Sequence, residues 1–165
     1  MEDFRIEDAK VEDVEAIRAI VKYWWIELYP NEKYGITKED VSAIDFFNPE
    51  YLVKATKEIE KGITENGDKT HYFVLKNNKD EVVGFCIVLK YENYGEIDAV
   101  YLTKDMQGKG FAQQLMQKGF EWLRKDQDII LKVVVYNFRA IEFYKKIGFH
   151  ETANKVDYSS GTNLP

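Results

Sequence analysis

Val100-Tyr101-Leu102-Thr103-Lys104-Asp105-Met106-Gln107-Gly108-Lys109-Gly110-Phe111-Ala112 reads as a strand that hands a glycine-containing loop to the start of a helix. Such a junction suits an anion. Glycines let the backbone approach a ligand, and the unpaired N–H groups of the first helical turn face it along the helix dipole. Two common nucleotide signatures fail here. A Walker loop needs Ser or Thr after Gly-Lys, whereas Gly110 follows Lys109, and a dinucleotide fingerprint needs a third glycine where Gln113 stands. On this loop alone, a turn without a ligand is the plain alternative.

Downstream, the pattern predicts a helix from about Gly108 to Lys125, a near-continuous apolar strand Ile129–Tyr136, a helix from about Phe138 to Ile147 and an extended segment from Gly148. Upstream, Glu96–Leu102 is a strand following the Asn93-Tyr94-Gly95 turn. His71–Leu75 and Val82–Leu89, rich in β-branched and aromatic residues, flank the polar turn Lys76-Asn77-Asn78-Lys79-Asp80 as a hairpin. Nearer the N-terminus, Phe4–Ala9 reads as a strand. Val11, Val14, Ile17, Ile20, Val21 and Trp24 then recur at helical spacing through about Trp25, with Glu12, Asp13 and Glu15 complementing the helix dipole. Thr37-Lys38-Glu39-Asp40 caps a short helix, and Asn48-Pro49-Glu50 opens another that runs to about Ile63. Hairpins followed by βαβα predict a mixed α/β sheet, antiparallel early and with a parallel crossover late.

The chain has 165 residues, 45% of them hydrophobic, 15% aromatic and 32% charged, which predicts one domain over 1–165 with a real core and excludes a disordered chain. The formal charge is −6, so no nucleic-acid partner is expected, because a phosphate-tracking surface needs a basic excess. Residues 1–66 carry a net −7 and residues 67–165 a net +1, leaving the second part better suited to an anionic ligand. The single cysteine, Cys86, cannot form an intramolecular disulfide, and no basic-then-apolar leader opens the chain, so a cytoplasmic location is expected. Apolar runs such as Phe85–Leu89 fall far short of the ~20 residues that cross a bilayer, so no membrane partner is expected.

A second stretch, Asn137-Phe138-Arg139-Ala140-Ile141-Glu142-Phe143-Tyr144-Lys145-Lys146-Ile147-Gly148-Phe149, joins the first. With it the chain resembles the GNAT superfamily of N-acetyltransferases. Gln107-x-x-Gly110-x-Ala112 fits that family's Gln/Arg-x-x-Gly-x-Gly/Ala motif. Asn137-x-x-Ala140-x-x-Phe143-Tyr144-x-x-x-Gly148-Phe149 fits its second motif. The resemblance is clear from about residue 70 to 150 and looser through the N-terminal strand and helix.

The resemblance implies a fold whose central strands splay apart to admit acetyl-CoA as co-substrate. The backbone of Val100, Tyr101 and Leu102 would hold the pantetheine arm. The amides of Gln107, Gly108, Lys109, Gly110, Phe111 and Ala112 would hold the pyrophosphate. Asn137 and Tyr144 would lie near the pantetheine and the thioester sulfur, with Lys146 near the nucleotide phosphates. Phe143, Ile147 and Phe149 read as core. The implied reaction is direct acetyl transfer to a primary amine, with a small molecule as the leading acceptor.

Such a transfer needs a neutral amine, yet an alkylammonium is only about one part in 10³ neutral at pH 7. A base therefore helps. Glu96 stands where many GNAT enzymes have a catalytic glutamate, and alternation puts Asp98 on the same face; solvated strand-edge carboxylates are the plain reading of both. Tyr144 matches the family's usual proton donor to the departing thiolate, against the plain reading of a packed helix tyrosine.

Other residues carry less. Cys86 lies in an apolar strand and reads as a core thiol, and His71 and His150 have no ligand spacing around them, so no metal is expected. Tyr23, Trp24, Trp25, Tyr29 and Tyr34 exceed what one helix face buries, and in the family that region lines the acceptor pocket. Beside Glu27, Glu32, Asp40 and Asp45 they would suit a cationic amine, although a solvated acidic surface over core aromatics reads equally well. The chain closes on Ser159-Ser160-Gly161-Thr162-Asn163-Leu164-Pro165, a turn where family members continue into a last strand. That leaves a truncated chain, a shorter hairpin or a homodimer to complete the sheet. A protein N-terminal or lysine acetyltransferase and a non-catalytic CoA-binding module are the rival functions.

Overall fold

A computed structural model describes residues 3–43, 49–65, 67–124 and 126–152. The element order is β1 (Arg5–Asp8), α1 (Val14–Leu28), α2 (Lys38–Ala43), α3 (Pro49–Thr64), β2 (Thr70–Lys76), β3 (Val82–Lys90), β4 (Tyr94–Leu102), α4 (Phe111–Trp122), β5 (Asp128–Leu131) and α5 (Phe138–Lys146). The five strands form one sheet in the order β1-β2-β3-β4-β5. Every neighbouring pair is antiparallel except β4 and β5, which run parallel.

Local chemistry accounts for the elements. The β2–β3 hairpin closes on Asn77, whose Oδ1 accepts from the backbone N–H groups of Lys79 and Glu81 at 2.9 and 3.0 Å. The turn ends on Asp80 at φ 67°, a left-handed position that Asp tolerates better than most residues. In α1 the buried residues are Val14, Ile17, Ile20 and Trp24, one stripe at helical spacing. Thr37 and Asp40 form a reciprocal cap for α2: Thr37 N–H donates to Asp40 Oδ2 at 2.8 Å, and Asp40 N–H donates to Thr37 Oγ1 at 3.0 Å.

The sheet has a core on each face. Leu115 and Met116 of α4 pack with Cys86, Val88, Ile97 and Leu102, and α5 adds Phe143, Tyr144 and Ile147 to that cluster. On the other face Ile17, Ile20 and Trp24 of α1 pack with Val74 and Phe85, joined by Ala99 and Tyr101. Among the described residues no helix is long and apolar enough to cross a membrane.

Several boundaries differ from the sequence expectation: Tyr94 and Gly95, expected in a turn before Glu96, are the first residues of β4 and pair with Asp128 and Lys90. The apolar run expected to be strand through Tyr136 leaves the sheet after Leu131, the last residue of β5 paired with β4. A helix-like α4 begins at Phe111 because Gly108 and Gly110 adopt φ of 77° and 83°, outside helical geometry. Helix α1 continues to Leu28, three residues past Trp25. The closing turn at Ser159–Pro165, with the last strand or partner it called for, lies outside the described residues, as does Asp45.

Candidate active site

The site is built where β4 and β5 part. Their parallel pairing covers only Tyr94 to Ile97 on β4 against Asp128 to Leu131 on β5. Beyond Ile97, β4 continues for five residues with no strand on that edge among the described residues. Thr103 N–H donates to Val83 C=O at 2.8 Å, which sets the phase of the β3–β4 ladder. Backbone groups alternate along an antiparallel strand, so those of Tyr101 turn to β3 while those of Val100 and Leu102 turn to the gap. Of the three residues expected to offer backbone to a pantetheine arm, Tyr101 therefore presents only its side chain. The Leu102 carbonyl is already held, accepting from the buried Trp24 Nε1 at 2.6 Å.

A β-bulge shapes the floor. Ile87 pairs with Ala99 and Val88 with Ile97, so Asp98 is an extra residue without a partner of its own on β3. The bulge resets the alternation: Ile97, Val100 and Leu102 pack in one core, whereas Ala99 and Tyr101 pack in the other. The simple alternation expected to align Glu96 and Asp98 is broken, yet the two carboxylates still interact. Burial first, then the Glu96 carboxylate, pushes the Asp98 carboxyl above its usual range, against the pull of Lys132. Asp98 is exposed, directly after the last β4 residue paired with β5.

Glu96 is only 2% exposed. Its Oε1 accepts from Lys132 Nζ at 2.8 Å, while its Oε2 is buried and has no hydrogen-bond partner among the described residues. Lys132 follows directly on Leu131, at the point where the strands separate. Sequence reading missed it; the available signal was a single lysine interrupting the apolar run from Ile129 to Tyr136.

Tyr144 is half-buried on α5, near Cys86 and Tyr29. Burial, with those two groups adding, holds its phenol above the ordinary value, so it is fully protonated at neutral pH. Asn137 caps α5, its Oδ1 accepting from Ala140 N–H at 3.2 Å, which leaves the Nδ2 donors for a ligand.

The loop after β4 leaves room above its backbone. A side-chain carbon placed on Gly108 or Gly110 would meet nothing within 4 Å. The first bond into α4 runs from Gln114 N–H to Gly110 C=O at 3.2 Å, so the amides of Phe111, Ala112 and Gln113 form the open helix N-terminus. Lys109 is exposed there and Gln107 half-buried, with Lys146 exposed on α5. The open strand edge and these amides fit a long amide-bearing chain that ends in phosphates.

The aromatic residues divide. Trp24 is core and ties α1 to the end of β4. Tyr23 packs edge-on against it and is 43% exposed. Trp25 packs on Tyr29, whose hydroxyl lies 3.4 Å from that of Tyr101. Tyr136, unremarked in the sequence, donates from its hydroxyl to Tyr29 C=O at 2.8 Å and stacks on Tyr34 at 5.2 Å. Tyr29, Tyr34, Tyr101 and Tyr136 thus form one contiguous cluster. The acids expected beside them are partly occupied: Asp40 caps α2, and Glu27 lies 3.8 Å from Lys38.

The discounted residues are explained structurally. Cys86 is fully buried, and burial, then Asp98, pushes its thiol up to about 12. His71 Nε2 lies 2.9 Å from Asp8 Oδ1 and its ring stacks on Trp122. His150 is exposed.

Known proteins bear on the same residues. A family model described as the acetyltransferase (GNAT) family matches residues 25–149. A mycothiol acetyltransferase of Saccharomonospora viridis is 28% identical over 124 residues, covering 68% of this chain and 40% of that protein. An uncharacterized N-acetyltransferase of Methanocaldococcus jannaschii is 31% identical over 93 residues, covering 51% of this chain and 41% of that protein. The chain thus spans about two fifths of the length of the curated relatives it matches. Among solved structures, the PaiA N-acetyltransferase of Thermoplasma acidophilum in complex with coenzyme A aligns with a TM-score of 0.69 at 16% identity, over 93% of each chain. An aminoglycoside N-acetyltransferase in complex with CoA aligns with a TM-score of 0.65 at 16% identity, over 96% of this chain and 95% of that one. These likenesses carry the fold, and the match across residues 25–149 carries the membership: the chain belongs to the GNAT family of acetyltransferases.

Proposed function

We propose that this chain works as a single N-acetyltransferase domain that moves the acetyl group of acetyl-CoA directly to a small primary amine. The observation that carries the reading is the short parallel pairing of β4 and β5. Beyond it, the backbone of Val100 and Leu102 faces the gap, just ahead of a glycine loop and an open helix N-terminus. Val100 and Leu102 bond the pantetheine arm, Tyr101 flanks it with its side chain, and the amides from Gln107 through Gly108, Lys109, Gly110 and Phe111 to Ala112 receive the pyrophosphate. Asn137 donates to the pantetheine from Nδ2.

Glu96 accepts a proton from the acceptor ammonium, directly or through water, and the freed amine attacks the thioester carbonyl. As the tetrahedral intermediate collapses, the C–S bond breaks, the Tyr144 hydroxyl gives its proton to the departing sulfur, and the surplus proton of the acetylated nitrogen restores the phenol. The Tyr144 phenol is protonated at neutral pH, as a proton donor must be. The tyrosine cluster suits an amine by cation–π attraction. That solved relatives include an aminoglycoside N-acetyltransferase with a bisubstrate analogue supports a small-molecule acceptor.

Thermal unfolding with acetyl-CoA, using ATP and NADH as controls, tests the donor. At 100 times its Kd, acetyl-CoA stabilises by about 2.7 kcal/mol and raises Tm by several degrees; no shift in a folded sample refutes donor binding. A panel of aliphatic diamines, arylethylamines and peptide amino-termini, followed by CoA release, then tests the acceptor. Glu96→Gln and Tyr144→Phe are each expected to lower kcat by about a hundredfold with acetyl-CoA binding retained. Unchanged turnover in either variant removes that residue's assigned role.

A further inference from the structure

We infer that Lys132 is a positioning residue that fixes Glu96 by one carboxylate oxygen, leaving the other as the receiving point for an N–H of a monocationic acceptor. This rests on the reading of Glu96 as the base and adds to it what orients that base.

The geometry is specific. Glu96 is 2% exposed and cannot rotate freely, and a buried carboxylate persists only if its charge and lone pairs are answered. Lys132 Nζ, at 2.8 Å, answers Oε1. Oε2 is equally buried and has no partner among the described residues. An unpaired buried acceptor is costly, so its persistence at the mouth of the gap marks a place kept for a donor from outside the chain. Lys132 is 42% exposed, so its own ammonium stays partly hydrated while it reaches inward.

The charge balance narrows the donor. Among the described residues, Asp98 at the bulge and Tyr91 also interact with Glu96, and Lys132 is the cation that bonds it. Two carboxylates and one ammonium leave one negative charge, matched by a single alkylammonium. A dication placed both charges at once would meet Lys132, and an anionic acceptor would meet Glu96 and Asp98.

A double-mutant cycle tests the inference, using Lys132→Met, Lys132→Arg, Glu96→Gln and the Lys132→Met/Glu96→Gln pair. The kinetic probe is the best acceptor from the amine panel. Lys132→Met is expected to lower kcat about tenfold or more with KM for acetyl-CoA unchanged, and Lys132→Arg to restore most of the loss. In the Glu96→Gln background, Lys132→Met should cost little further, because a residue acting through Glu96 has nothing left to position. Thermal unfolding gives an acceptor-free arm. Lys132→Met alone lowers Tm by roughly 2–4 °C by stranding a buried carboxylate, and the added Glu96→Gln recovers it.

Additive losses in kcat, or a Tm deficit that Glu96→Gln does not recover, overturn the role of Lys132. Glu96→Gln with full turnover, by contrast, overturns the base reading on which the inference stands.

Discussion

Asp98 shows how one residue can be costly for the fold and still occupy the centre of a site. Its folded pKa is raised, by burial first and then by Glu96. A carboxyl raised in this way contributes least to stability once it ionises, so its cost is absent at acid pH and develops as pH climbs past the unfolded value. Asp98→Asn is therefore expected to melt higher than the parent at pH 7 and to match it near pH 3. Equal melting temperatures at both pH values refute the assignment. At this scale the sequence was only partly legible. Tyr144 and Asn137 could be singled out as candidates because they sit in the second motif, and Glu96 because it opens the strand that leads into the glycine loop. Lys132 and Tyr136 were not, since their partners Glu96 and Tyr29 lie 36 and 107 residues away along the chain.

At the scale of elements, the loop between β4 and α4 depends on two glycines with left-handed backbone. The space above Gly110 is open, so an added methyl group meets no clash and only the backbone strain at φ 83° opposes it. Gly110→Ala is expected to cost about 1–2 kcal/mol in urea unfolding and, on the proposed reading, to weaken acetyl-CoA binding as well, since the methyl group would stand in the space proposed for the pyrophosphate. A loss of stability with unchanged acetyl-CoA affinity would detach this loop from the donor. The hairpins, the α2 cap and the βαβα order were readable because each is written in local residues: Asn77 and Asp80 in the turn, Thr37 with Asp40 at the cap. The bulge at Asp98 and the early end of β5 were not. Both are set by the pairing between strands, and Ile129–Tyr136 keeps a strand-like composition beyond the point where β4 is within reach.

Across the whole molecule, one buried charge cluster ties the first strand and helix to the sheet. Lys76 Nζ lies 2.9 Å from Asp13 and 3.1 Å from Glu7, with both the Lys76 and Asp13 side chains almost fully enclosed. Lys76→Met would strand those acids and is expected to cost about 3–5 kcal/mol, read by denaturant unfolding at pH 7. The Glu7 carboxyl is held below its usual value by Lys76 first and then Arg5. Its contribution is therefore present above about pH 4.5, the ordinary value, and lost as pH falls further. In Lys76→Met that part of the acid dependence should flatten; an unchanged acid limb refutes the linkage. The mixed sheet with helices on both faces was legible in the order of elements, and membership of the family in two motifs. The tyrosine cluster proposed to receive the acceptor was not, because it is assembled from single tyrosines on β4 and the segments after α1 and β5, with no motif among them.

The division between strand edge and tyrosine cluster has an evolutionary consequence. Peptide groups at Val100 and Leu102 are present whatever side chains those positions carry, so an anchoring edge made of them tolerates mutation. The tyrosines of the cluster have no such protection, and each substitution there reshapes it. On the proposed reading, substitutions along the donor edge would be better tolerated than substitutions among the tyrosines, so a new acceptor could arise by single-residue steps on an unchanged chassis.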